Sequence, residues 1–166
     1  MRFATRFAFA VTVALLLGST AYASVSVDFV HPEKFRDPDF RSFSERNRLI
    51  SEFRGYFETL AGRYLKKGQA LRIDVLDVTL AGQYEPWRPY FDDVRILRDS
   101  TPPRFKLRYK LTEGGRVLAQ GEEVVSDLNY LWTSSARTAM ERHPYEKEML
   151  RDWFRKRLVK LQPARH

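Results

Sequence analysis

Two carboxylates three residues apart, Asp74 and Asp77, run into a loop that reads Gly82-Gln83-Tyr84-Glu85-Pro86-Trp87-Arg88. Carboxylates at a strand end beside a tryptophan can act as acid and base on a sugar whose ring stacks on the indole, and Asp77 with Glu85 is the pair to consider. The same oxygens could bind a hard cation. A plainer role competes with both: Asp74 and Asp77 as solvent-facing strand residues, and Trp87 as the closure of one end of the core. No defined catalytic spacing is met, which favours the plainer role. The ligand-binding candidates from this cluster are Asp77, Tyr84, Glu85, Trp87 and Arg88.

A second cluster, Asp127-Leu128-Asn129-Tyr130, precedes Tyr145-Glu146-Lys147. Asp127 and Asn129 suit turns through side chain to backbone bonds; with Tyr130 they complete the ligand-binding candidates. The third feature is a basic stretch near the C-terminus, where Arg151, Arg155, Lys156 and Lys160 could meet an anionic membrane surface. No residue is assigned a catalytic role. Nucleophile elbow, Walker loop, dinucleotide fingerprint and zincin motif are all missing. The three histidines, His31, His143 and His166, lie far apart, and zero cysteines remove thiolate metal sites and thiol nucleophiles. No metal and no cofactor is expected.

The elements that must position these residues follow from periodicity. Val25, Val27 and Phe29 alternate with polar residues as a short half-buried strand. Residues 32–42, with two prolines and several charges, read as an irregular connection. Ser42 and Glu45 stand at capping-box spacing, and Phe53, Phe57, Leu60 and Tyr64 follow on one helical stripe that stops before Gly68. Residues 70–80 read as a strand whose alternation slips near Val75-Leu76, the mark of a bulge.

Val94 to Leu97 is expected to be a strand, and Phe105 to Leu111 a strand with one wet face of Lys106, Arg108 and Lys110. Glu113-Gly114-Gly115 supplies a hairpin into Val117 to Val125, with Gly121 as a kink or bulge. Residues 133–143 could be a short helix or a loop. Pro144 opens a last helix with a broad apolar face from Tyr145 to Leu161.

The order strand, helix, four strands, helix predicts an α+β fold: a single mixed, mostly antiparallel sheet of about five strands, with two amphipathic helices packed on one face. The first two strands, joined through a helix, should be parallel. Residues 24–161 make one domain and 162–166 a frayed tail.

The N-terminus reads as a cleavable secretory signal, residues 1–23. Arg2 and Arg6 precede an apolar run from Phe7 to Leu17, and Ala21-Tyr22-Ala23 presents small residues before Ser24. The run is shorter than the roughly 20 residues a transmembrane helix needs. Export to the periplasm is therefore expected, with no span after processing. The chain carries 29 Lys and Arg against 21 Asp and Glu. In an exported protein such a balance disfavours nucleic acid and directs attention to an envelope protein, a glycan or an anionic lipid surface.

The segments VLDVTLAG (residues 75–82), DLNY (127–130) and YEKEMLRDWF (145–154), behind a leader and VSVDF (25–29), resemble the bacterial exported family catalogued as domain of unknown function three-zero-one-six. The likeness covers essentially the whole chain after residue 23, with Thr79 and Leu128 where many relatives would carry Asp and Met. It implies a Gram-negative envelope address and brings no activity with it. The reading of the sequence is thus an exported envelope accessory or binding protein without catalytic activity. The alternatives are an envelope glycan hydrolase using Asp77 and Glu85, or a peripheral membrane protein using the basic helix.

Overall fold

The computed structural model describes residues 23–87 and 94–162. Residues 1–22 of the expected leader, Arg88 and residues 163–166 of the expected tail lie outside these residues. Strands β1 (Ser24–Phe29), β2 (Gln69–Thr79), β5 (Arg104–Glu113) and β6 (Arg116–Ser126) form a sheet in the order β1-β2-β5-β6. A separate two-stranded ribbon pairs β3 (Gln83–Tyr84) with β4 (Arg95–Ile96). The helices are α1 (Phe43–Tyr64), α2 (Ser134–Thr138) and α3 (Pro144–Phe154). None of the described helices is long and apolar enough to cross a membrane.

The chain is α+β, and β1 runs parallel to β2 as the helical crossover requires. In β5, Phe105, Leu107, Tyr109 and Leu111 are buried while Arg104, Lys106, Arg108 and Lys110 are exposed, so one face of the sheet is covered and the other is wet. The core joins that buried face to Leu49, Phe53, Phe57 and Leu60 of α1 and to Met149, Leu150, Trp153 and Phe154 of α3. At roughly 25 cal/mol per Å2 of apolar surface, each such side chain contributes about 2 kcal/mol. The slip in β2 is a bulge at Leu76: Val75 faces Leu107 and Asp77 faces Lys106, which returns Val78 to the core opposite Phe105.

Three expectations need correction, and one open reading is decided. The segment around Arg95 does not join the main sheet; among the described residues it pairs only with β3, and Arg95 is drawn to carboxylates in the 32–42 connection. Ser42 does occupy the helix N-cap, but no capping box forms: its hydroxyl meets Ser44 and Glu45 pairs with Arg48. The β5–β6 irregularity falls at Leu118, which is skipped between the pairs Leu111–Ala119 and Thr112–Val117. Gly121 stays in register opposite Tyr109, whose ring would stand 3.3 to 3.5 Å from any added Cβ. The open reading of 133–143 resolves to a short helix, α2, beside the two amphipathic helices.

The Gly114-Gly115 turn has positive φ at both residues, 55° and 82°, matching the twist of the two strands it joins. The last helix ends in a wider π turn, Arg155–Val159, where the Lys160 amide donates to the Arg155 carbonyl. That turn buries Leu158. It also brings Arg157 to a carboxylate on β6.

Candidate functional site

The loop cluster is organised by two residues that the sequence reading passed over, Asp37 and Asp39. Asp37 is buried, and its Oδ2 accepts the Leu80 amide at 2.8 Å while Oδ1 accepts the Asp39 amide and the Arg95 Nη2 at 2.5 Å. Arg95 also reaches Asp39 at 3.3 Å and the Gly82 carbonyl at 3.0 Å. Burial works against the Arg95 charge, but Asp37 and then Asp39 outweigh it and hold the pKa above the ordinary arginine value. Tyr84 packs under the Arg95 guanidinium and donates its hydroxyl to Asp39 at 2.9 Å. Its pKa is raised, first by burial and then by that bond.

Asp77 accepts the amides of Arg36 and Val78 on Oδ1, both at 3.0 Å, and the Arg36 Nε on Oδ2 at 3.0 Å. Glu85 is buried and takes Arg98 in a two-pronged contact of 2.6 and 3.0 Å. The two carboxylates are therefore bound by different arginines, with both oxygens of each already occupied within the fold. Tyr130 is fully buried against Tyr145 and donates its hydroxyl to the Arg98 carbonyl at 2.7 Å. Arg98 thus links Glu85 to Tyr130. Glu146, in the first turn of α3, accepts the Ala81 amide at 2.7 Å and ties the loop to that helix. Trp87 is exposed at 69%.

The open feature lies elsewhere. A groove of about 420 Å3 runs between β6, an edge of the sheet, and α3 with its π turn. Its lining includes Val124, Asp127, Thr133, Asp152, Lys156 and Arg157, so it brings together Asp127 and Lys156 from two of the three sequence clusters. Glu123 anchors its wall, accepting Trp153 Nε1 at 2.9 Å and Arg157 Nε at 2.9 and 3.0 Å. Asp127 takes the Asn129 amide at 2.9 Å in the expected turn, and Thr133 at 3.5 Å. Asn129 itself contributes its carbonyl to the Trp132 amide.

Of the basic residues, Arg151 pairs with Glu148 and Lys156 with Asp152, while Arg155 and Lys160 are exposed. Four large apolar side chains of one stretch are exposed after the middle of β6: Val124, Leu128, Trp132 at 81% and Met140. Sequence reasoning missed Glu123 and Trp153 as residues of this groove. The Glu122-Glu123 pair did carry a signal, since neighbours in a strand face opposite ways and one of them must turn toward the helix layer.

The geometry offers recognition through a strand edge that pairs only with β5 among the described residues, with mixed charges beside it and exposed apolar side chains in the segment that follows. The chain belongs to the family described as Protein of unknown function (DUF3016), whose sequence profile matches residues 23–156. No curated protein and no solved structure matches it.

Proposed function

We propose that this member of the DUF3016 family is an exported, non-catalytic accessory protein of the bacterial envelope that binds a protein partner in the groove between β6 and α3. The observation that carries this reading is the groove itself: about 420 Å3 beside a strand edge that pairs only with β5 among the described residues. A partner segment can satisfy such an edge with backbone hydrogen bonds, while Val124 of the lining and the exposed Trp132, next in the chain to the lining residue Thr133, supply apolar contact. The occupied oxygens of Asp77 and Glu85 weigh against acid and base duty on a glycan. Export and the periplasmic address rest on the leader pattern of residues 1–23.

Site-specific photocrosslinking in the native envelope tests the reading. A crosslinker at Val124 or Lys156 should capture a discrete protein, one at exposed Glu58 on α1 should not, and Trp132→Ala should abolish the capture. Equal capture from Glu58, or capture indifferent to Trp132→Ala, would remove the groove as the site.

A further inference from the structure

The uncovered face of the sheet carries a pattern that the groove does not use. Along β5, in the middle of the sheet, Arg104, Lys106, Arg108 and Lys110 are exposed at every second position. At about 3.4 Å per residue their Cα atoms follow one another roughly every 7 Å down one line. Cross-strand register adds Arg72 directly beside Lys110, and like charges facing each other cost stability rather than supply it.

Acidic residues flank this line at two neighbouring levels: Asp77 on β2, held by Arg36, stands opposite Lys106, and a second group surrounds Arg108. Asp74 on β2 and Glu122 on β6 stand opposite Arg108, and Asp28 on β1 lies beyond Asp74. Glu122 meets Lys106 and Arg108 at 2.9 Å each, and Asp74 meets Arg72 at 3.1 Å and Arg108 at 3.8 Å. Five cations of these strands thus stand among four carboxylates, one of which, Asp77, is taken by Arg36, leaving the face net positive. Next to Lys110 a depression of about 540 Å3 opens, lined by Arg72, Asp74, Gln120 and Glu122 among others.

We propose that this face binds a linear acidic polysaccharide laid along β5. The cation file presents one line of positive charge along which a single extended anionic chain fits. The depression has the volume of a small-ligand site and offers both donors and acceptors, which a sugar with hydroxyls can use. Asp74 and Glu122, although bonded to Arg72, Lys106 and Arg108, keep lone pairs that can accept sugar hydroxyls, whereas polyphosphate has no hydroxyl along its chain to offer them. A bilayer would press against Asp28, Asp74 and Glu122 together, so a chain one strand wide fits better.

The test is binding of a labelled oligogalacturonate to the whole protein, with dextran, polyphosphate and phosphatidylglycerol vesicles as comparators. Oligogalacturonate should bind in preference to all three. Lys106→Glu and Lys110→Glu, both at exposed positions, should each weaken it by about tenfold, more so at low salt, with circular dichroism unchanged. Lys156→Glu, in the β6–α3 groove, should leave it unaltered, which separates this site from that one. No binding, equal or tighter binding of polyphosphate or vesicles, or equal loss from Lys156→Glu would overturn the proposal.

Discussion

Replacing Asp37 by alanine should be among the most damaging single changes in this protein. Its side chain is 1% exposed and holds three donors: the Leu80 amide at 2.8 Å, the Asp39 amide at 3.1 Å and Arg95 at 2.5 Å. Alanine leaves the buried Leu80 amide without its acceptor, a cost of about 1–3 kcal/mol. It also takes the nearest anion from a guanidinium that is only 17% exposed, and removing one partner of a buried pair costs about 3–5 kcal/mol. These costs overlap, and Arg95 keeps Asp39 and the Gly82 carbonyl, so the expected total is about 4 kcal/mol rather than their sum. Against a typical domain stability of about 5–15 kcal/mol the variant would be marginal. Asp37→Asn, which retains an acceptor oxygen, should lose about half as much.

Urea denaturation reads the effect as a lower midpoint at unchanged slope. A cycle with Arg95→Met should give a coupling of about 1–3 kcal/mol. A loss below about 1 kcal/mol for Asp37→Ala, or a cost of Arg95→Met that is the same with and without Asp37, would refute the claim that this pair pins the 32–42 connection to the β3–β4 ribbon.

Two further predictions concern stability. Tyr56 donates its hydroxyl to the Lys147 carbonyl at 2.8 Å, and burial pushes its pKa up to about 12 from an ordinary 10. The folded state therefore keeps a proton that the unfolded chain loses first. This contribution is whole below pH 10 and disappears between 10 and about 12; denaturation followed across that range should show the fall, and Tyr56→Phe should flatten it. Gly82 and Gly68 both have positive φ, but a Cβ on Gly82 would sit 2.8 Å from the Ile96 carbonyl oxygen while one on Gly68 meets nothing. Gly68→Ala should cost about 1 kcal/mol in denaturant midpoints, and Gly82→Ala distinctly more, because it also forces β4 away. Equal costs would show that the close approach of the ribbon is unimportant.

Periodicity made much of the scaffold legible. The stripe of Phe53, Phe57 and Leu60, the alternation of β5 and the Gly114-Gly115 turn depend on contacts within a few residues, and the bulge at Leu76 announced itself as a break in phase. The ribbon was misplaced for the opposite reason. Arg95 is separated from Asp37 by 58 residues, and nothing local marks that pair. The same holds for Glu123, Trp153 and Arg157, which meet only after α3 has packed on the sheet.

What the amino-acid sequence determined by itself is therefore the class of fold, the parallel first pair of strands, the wet cationic face of β5 and the family, all of which are written in short-range pattern or residue identity. Only the tertiary structure decided what the carboxylates do. Asp77 and Glu85 look alike in the sequence as free acids near a tryptophan, yet Arg36 and Arg98 occupy them, because an ion pair depends on distance in space and not on spacing along the chain. Packing likewise placed Asp127 and Lys156 on one groove.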